Sequence, residues 1–231
     1  MNKRLRIALA VAVIVLAVAA AGFFWYVSDY YHADEMAMAV MSGTAVRKEG
    51  NLTILSPAVP GDTGLIFYPG GKVEHTAYLP LLEQLRQNGI TCVLVEMPYR
   101  LAVFNPNAAE RAFEKLPDIQ NWYMGGHSLG GAMAGSCASE NLDRAKGLVL
   151  LGSYLYGTFP PERSLIVYGS EDEVLDRSKI THQEYVVELA GGNHAQFGNY
   201  GVQKGDGTAS ITRKEQQRQT VEAILAFILN D

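Results

Sequence analysis

The fold of this chain is decided by the stretch Trp122-Tyr123-Met124-Gly125-Gly126-His127-Ser128-Leu129-Gly130-Gly131. A short apolar run leads into the pattern Gly126-x-Ser128-x-Gly130, and small residues that can continue as a helix follow it. A strand that turns directly into a helix holds its turning residue at a strained backbone angle, where neighbouring side chains collide unless they are glycine. The pattern predicts that the Ser128 hydroxyl stands clear at the end of a strand, with the Leu129 N–H directed at the same space. The alternative is a glycine-rich loop that packs a helix on a sheet.

Apolar runs and helical patterns alternate on both sides of this stretch. Such alternation predicts an α/β fold with a mostly parallel sheet covered by helices on both faces. Asn107 with Glu110 and Thr212 with Glu215 have the spacing of helix caps, and Thr212 precedes an amphipathic C-terminal helix. The predicted strands are residues 44–47, 52–55, 64–68, 91–95, 122–124, 147–151, 165–168 and 185–189, the first two forming a hairpin.

Composition limits the function classes. The 231 residues are 48% hydrophobic and carry a net charge of −5, which fits one buried domain plus an appendage. Basic residues do not cluster beyond the N-terminus, so a nucleic-acid surface is not expected. Cys92 and Cys137 are predicted to be buried free thiols. No metal site and no cofactor are predicted, because zinc-ligand spacings of cysteine or histidine do not occur.

The N-terminus predicts a membrane anchor. Lys3, Arg4 and Arg6 precede an uncharged run that extends from Ile7 to Ser28, and about 20 apolar residues suffice to span a bilayer. Because basic residues collect on the cytoplasmic side, residues 1–28 would leave the remaining domain outside the cytoplasm, at the cell membrane. The alternative is a signal peptide cleaved near residues 19–21. Residues 29–42 are predicted to be a juxtamembrane segment that lifts the domain, residues 43–231, off the membrane.

An acid and a histidine follow Ser128 along the chain, each just after a predicted strand. In parallel sheets ligands bind beyond the carboxyl ends of the strands. A serine nucleophile needs a base to take its proton, and the imidazole of that base needs a carboxylate on its other nitrogen. His194 is the predicted base. Asp172 is the predicted acid, chosen over its neighbours Glu171, Glu173 and Asp176.

The oxyanion of a tetrahedral intermediate requires two N–H donors. Leu129 is predicted to supply one, and the turn after the strand 64–68 the other, with Gly71 preferred and Lys72 second. Lys72, Glu74 and Tyr154 are possible substrate contacts. For Lys72 and Glu74, a salt-bridged pair that opens a helix is an equally good interpretation.

In four segments, which include the turn at Ser128 and the loop of His194, the chain resembles the α/β-hydrolases, in particular the compact bacterial family called alpha/beta hydrolase fold-5. The resemblance covers the domain from about residue 64 onward and implies an esterase-like serine hydrolase with Ser128, Asp172 and His194 at the triad positions. Related dienelactone hydrolases use cysteine at the nucleophile position, where this chain has serine. The segments that carry the resemblance are residues 67–74, 97–104, 122–131 and 191–198.

We therefore expect an extracytoplasmic, membrane-anchored serine hydrolase that cleaves a small-molecule ester through an acyl-enzyme. An acyltransferase would use the same residues, and a binding module that lost catalysis would keep the same fold. Residues 152–164 are too short and too rich in glycine and proline for a helical lid, so an open cleft is expected. Tyr154, Tyr156 and Phe159 are its candidate walls, or else they pack beneath the loop.

Overall fold

The computed structural model describes residues 2–182 and 184–229. The chain divides between Tyr30 and Tyr31 into two units. The first contains helix α1 (Lys3–Ser28), with a mean hydropathy of 2.8 over its most apolar 18-residue window. By length and composition, α1 is sufficient to cross a membrane.

The second unit is built on a sheet of eight strands within its described residues. The strands are β1 (Val46–Glu49), β2 (Leu52–Leu55), β3 (Thr63–Tyr68), β4 (Thr91–Val95), β5 (Asn121–His127), β6 (Ala145–Leu151), β7 (Ser164–Gly169) and β8 (Val186–Leu189). Their order is β1-β2-β4-β3-β5-β6-β7-β8. β1 and β2 form the predicted antiparallel hairpin and β2 runs antiparallel to β4, whereas all later pairings are parallel.

Helices cover both faces of the sheet. The α-helices among the described residues of the second unit are α2 (Glu35–Met41), α3 (Leu79–Gln87), α4 (Glu110–Lys115), α5 (Leu129–Glu140) and α6 (Arg213–Leu229). On one face, residues of α3 and α6 pack with Leu65 and Phe67 of β3. On the other, residues of α4 and α5 pack with Ile66 and Tyr68 of the same strand. Successive side chains of a strand point to opposite faces, so this continuous apolar run serves both cores. The predicted α/β fold class is confirmed.

Two local expectations need correction or adjustment. Asn107 does not cap a helix, because α4 begins at Glu110 and the Asn107 amide donates to Glu140 across the surface. Residues 31–41 do not form a free spacer. Tyr31, Ala33, Val40 and Met41 pack against the core beside α3, so the compact unit begins at Tyr31 rather than at residue 43. The cap at Thr212 is confirmed, since its hydroxyl accepts the Glu215 N–H.

Candidate active site

Ser128 lies between the last residue of β5 and the first residue of α5. Its φ of 53° and ψ of −124° are a strained conformation for a residue with a side chain. The surroundings leave no room for flanking side chains. A Cβ on Gly126 would lie 2.6 Å from the Gly130 backbone, and one on Gly130 would lie 2.2 Å from the Pro69 carbonyl oxygen. The strand–turn–helix predicted from the sequence is present, and glycine is required on both sides of it.

His194 and Asp172 form a buried pair. The His194 Nδ1 atom lies 2.9 Å from Asp172 Oδ2, and both side chains are almost fully buried. The other carboxylate oxygen, Oδ1, accepts the backbone N–H groups of Val174 and Leu175 at 2.9 Å. The carboxylate is therefore fixed from both oxygens. Of the acidic residues 171, 172, 173 and 176, Asp172 is the one that the structure pairs with His194.

Gly152 makes room for this pair at the end of β6. Its φ is +50°, and a Cβ there would lie 2.8 Å from His194 Nδ1 and 3.2 Å from Asp172 Oδ2. Any larger residue would therefore press on the hydrogen bond between them. The sequence does not indicate a role for Gly152, because a glycine after a strand carries no sign of which residues it faces.

The backbone of His194 is held by two residues that no sequence pattern indicates. The Asp206 carboxylate accepts the N–H groups of His194 at 3.1 Å and Ala195 at 2.8 Å. Gln216, buried on α6, accepts the Asn193 N–H at 3.0 Å and donates to the Asn193 carbonyl at 2.7 Å. The imidazole is thus positioned by its own hydrogen bond and by a backbone clamped from two directions.

A second histidine lies against His194. The ring centroids of His127 and His194 are 4.4 Å apart. His127 Nδ1 lies 2.8 Å from the Tyr78 hydroxyl, which accepts the Gly70 N–H at 3.0 Å. Burial lowers the pKa of His127 well below its usual value, and the charge of His194 opposes protonation further. His127 is therefore a neutral side chain that lies between His194 and the turn after β3.

That turn places Gly71 beside the start of α5. A Cβ on Gly71 would lie 2.9 Å from Leu129 Cδ2, so the two predicted donors are neighbours. The first N–H groups of a helix lack acceptors within the helix, which suits Leu129 to an oxyanion. Lys72 does not fit the same role, because its N–H donates to the Arg100 carbonyl at 2.9 Å. Of the two alternatives for the second donor, the geometry favours Gly71.

Ser128 and His194 line one cleft of about 310 Å³. The Nε2 atom of His194 is buried and has no hydrogen-bond partner among the described residues. The remaining lining residues come from the starts of α5 and of the loop after β6, and from the loop after β7. They are Leu129, Ala132, Gly152, Ser153, Tyr154, Val174, Leu175, Asp176 and Lys179.

The predicted substrate contacts are only partly found in this cleft. Tyr154 lines it, with its hydroxyl 3.2 Å from Lys179 Nζ. Lys72 is not among the lining residues. Glu74 binds protein instead, because its two carboxylate oxygens accept the Ala33 N–H and the Thr76 hydroxyl. Of the two alternatives for Phe159, a wall of the cleft or packing beneath the loop, the structure shows the second, because Phe159 is 1% exposed and packs in the core beneath the Arg163 guanidinium.

Within residues 2–182 and 184–229, no group of three or more His, Cys, Asp or Glu side chains is arranged to hold a metal ion. Cys92 and Cys137 are both free and buried. Burial raises the pKa of each thiol, so neither is a thiolate nucleophile at neutral pH.

Comparison with known proteins agrees with this architecture. Residues 64–218 match the model of the alpha/beta hydrolase family. Est1E from Butyrivibrio proteoclasticus with ferulic acid bound is 17% identical, with a TM-score of 0.56 over 78% of this chain and 95% of that one. A ferulic acid esterase from Streptomyces cinnamoneus is 16% identical, with a TM-score of 0.52 over 74% and 67% of the two chains. A dienelactone hydrolase from Anabaena variabilis is 13% identical, with a TM-score of 0.53 over 78% and 95%. No curated protein matches the chain by sequence. At these identities the likeness to solved structures shows the fold.

Proposed function

Because the chain belongs to the alpha/beta hydrolase family, we propose that it is a serine hydrolase that cleaves small carboxylic esters through an acyl-enzyme. The observation that carries the proposal is the buried hydrogen bond of 2.9 Å between His194 Nδ1 and Asp172 Oδ2, in a cleft that the strained Ser128 also lines. With Nδ1 bound to the carboxylate, the proton acceptor of the imidazole is Nε2.

In this mechanism the Ser128 hydroxyl oxygen bonds to the ester carbonyl carbon while His194 Nε2 takes the hydroxyl proton. The carbonyl oxygen becomes an oxyanion and accepts the N–H groups of Leu129 and Gly71. Collapse of this intermediate breaks the bond to the alcohol oxygen, which leaves with the proton held by His194. Water then repeats the sequence on the acyl-enzyme and releases the acid, restoring the Ser128 hydroxyl.

We further propose that α1 anchors the enzyme in the cell membrane with the hydrolase domain outside the cytoplasm. The length and hydropathy of α1 support this location, as do the basic residues Lys3, Arg4 and Arg6 at its start. The substrate is then a small-molecule ester that reaches an extracytoplasmic domain.

The experiment that tests the activity is labelling of the full chain in detergent with a fluorophosphonate, followed by identification of the modified peptide. We expect one label, on Ser128, and no label on Ser128→Ala, with ester turnover in that variant lowered by a factor on the order of 10⁶. Undiminished labelling of Ser128→Ala would refute the assignment. An acyltransferase would give the same label, but would transfer the acyl group to alcohol added in excess. A binding module would give no label.

A further inference from the structure

Residues 31–34, which we call the lead-in segment, are hydrogen bonded to the turn that carries Gly71. The Tyr31 N–H donates to the Lys72 carbonyl at 2.8 Å, and the Glu74 N–H donates to the Tyr31 carbonyl at 2.9 Å. This is the pattern of a parallel β-bridge, formed between Tyr31 and Val73. The Ala33 N–H then donates to the Glu74 carboxylate at 3.0 Å.

The same segment is bonded to the loop that carries His194, residues 190–212. The Asp34 N–H donates to the Asn199 carbonyl at 2.8 Å, and the Asn199 side-chain amide donates back to the Asp34 carboxylate at 3.1 Å. The Tyr31 hydroxyl accepts the Lys204 N–H at 3.0 Å. The Tyr31 and Tyr200 rings lie with centroids 5.5 Å apart. The lead-in segment therefore ties the turn of the oxyanion donor to the loop of the base.

The bond from Tyr31 acts on a strained turn. Residues 70–73 form a turn closed by a hydrogen bond of 3.3 Å from the Val73 N–H to the Gly70 carbonyl. Its third residue, Lys72, has a φ of 58°, a value usual for glycine at that position. Lys72 is held there from both sides, since its N–H donates to Arg100 while its carbonyl accepts from Tyr31.

The direction of the Gly71 N–H follows from this turn. The Gly70 carbonyl and the Gly71 N–H belong to one trans peptide group and point in opposite directions. The hydrogen bond from the Val73 N–H fixes the Gly70 carbonyl and therefore also fixes the direction of the Gly71 N–H. Because Tyr31 pairs with residues 72–74, it stabilises the turn that aims the Gly71 N–H beside Leu129.

We propose that the lead-in segment is a positioning element of the reaction, and that it acts by holding the Gly71 N–H in the direction of the oxyanion. This inference rests on the proposed serine hydrolase mechanism. An oxyanion donor binds charge that develops only in the transition state, so a displaced donor lowers kcat and leaves KM nearly unchanged.

The test compares two substitutions at one position in the full chain in detergent. Tyr31→Pro removes the N–H that donates to Lys72, whereas Tyr31→Phe keeps both backbone hydrogen bonds of residue 31 to the turn and removes only the hydroxyl that accepts the Lys204 N–H. We expect Tyr31→Pro to lower kcat about ten-fold or more, a part of the roughly 10²–10³-fold that loss of a whole oxyanion donor costs, with KM within about two-fold of the wild type. We expect Tyr31→Phe to stay within about two-fold in both constants. Fluorophosphonate labelling should slow in parallel with kcat.

A separate control tests whether the connection between the domain and α1 affects kcat. Insertion of four Gly/Ser residues after Asp29 lengthens the connection to α1 without touching the lead-in segment, and should leave kcat unchanged. If this insertion lowers kcat as much as Tyr31→Pro does, the proposal is wrong, because the effect would then come from the membrane connection.

A second variant decides the question if the thermal midpoint shows that Tyr31→Pro is unfolded. Glu74→Ala removes the acceptor of the Ala33 N–H without changing the backbone. Reduced kcat at constant KM in a folded Glu74→Ala protein supports the proposal, and unchanged kcat overturns it. A raised KM at constant kcat in any variant also overturns it, because it would indicate a substrate contact. If the wild type itself takes no label and hydrolyses no ester, the proposed function fails instead.

Discussion

The imidazole rings of His127 and His194 lie with centroids 4.4 Å apart and their planes inclined by 48°, and the two histidines differ in their partners. His194 is bonded to a carboxylate, whereas His127 meets the Tyr78 hydroxyl and is fully buried. No acidic side chain is paired with His127 among the described residues. A proton on His127 would therefore be a buried charge next to His194.

The first prediction concerns stability against pH. His127 has a pKa below 6.5 in the folded state and about 6.5 in the unfolded chain. Well above pH 6.5 the His127 imidazole is neutral in both states, and it then makes no pH-dependent contribution to the free energy of unfolding. As the pH falls below 6.5 the unfolded chain binds a proton that the folded state excludes, so the free energy of unfolding falls by up to about 1.4 kcal/mol per pH unit. Denaturant unfolding from pH 7.5 to 5 measures this slope, and His127→Gln should reduce it. If the free energy of unfolding of His127→Gln falls with pH as steeply as that of the wild type, the pH dependence comes from other titratable residues.

The second prediction concerns Gly152. A Cβ at this position would lie 2.8 Å from His194 Nδ1, so Gly152→Ala should push the imidazole off Asp172 and lower kcat at least about 10²-fold. The matched control is Gly89→Ala. Gly89 also has a positive φ, of 90°, but a Cβ there would meet no atom within 4 Å. Both variants should lose about 1 kcal/mol or more of stability from backbone strain, and only Gly152→Ala should lose activity. Similar kcat values for the two would contradict the role given to Gly152.

The third prediction concerns acyl chain length. The connection from β6 to β7 holds one short 3₁₀ turn, Pro161–Arg163, and forms no helical lid. A cleft of about 310 Å³ then leaves a long chain in water, and each unburied CH₂ forgoes roughly 0.8 kcal/mol. We expect kcat/KM for nitrophenyl esters to be highest for acetyl to butanoyl and to show no jump at micelle formation. A steady rise toward palmitoyl would mean that the cleft is covered from elsewhere, by residues 199–210 or by the membrane surface.

The fourth prediction concerns topology. If α1 is a retained anchor, protease added to spheroplasts should digest the hydrolase domain, and detergent should be needed to extract it. A cytoplasmic marker enzyme in the same spheroplasts should resist the protease. Release of the domain without detergent would indicate instead that the N-terminal segment is cleaved as a signal peptide.

The parts of the site that depend on local pattern could be predicted from the sequence. The turn at Ser128 requires small neighbours within two residues, so it leaves a direct pattern in the chain. Asp172 and His194 follow predicted strands, and parallel strands bring such positions to one edge of a sheet. The structure places the two side chains in hydrogen-bond contact. Their catalytic roles, like that of Ser128, belong to the proposed mechanism.

The supporting contacts could not be predicted, because each joins residues that are distant in sequence or lack a pattern. Gln216 looks like any polar residue of an amphipathic helix, yet it is fully buried against Asn193. The lead-in segment has no feature that indicates a bridge to Val73. The sequence leaves open whether Phe159 forms a wall of the cleft or packs beneath the loop, because an aromatic residue in a loop gives no sign of the direction of its side chain. Propensity and spacing describe elements, and these contacts are made between elements.

The hydrogen bonds between Gln216 and Asn193 determine when the site can form during synthesis of the chain. The amide that holds the histidine loop lies on α6, the last helix that the structure describes, and Arg213 of the same helix is paired with Asp34 at 2.9 Å. During synthesis Asp34 leaves the ribosome some 180 positions before Arg213. The turn at Ser128 can form as soon as β5 and α5 have left the ribosome, but the clamp of Gln216 on the loop of His194 cannot form until α6 has followed. A nascent chain would therefore hold Ser128 in its turn before His194 is fixed, and the proposed site would be assembled only after α6 has been synthesised.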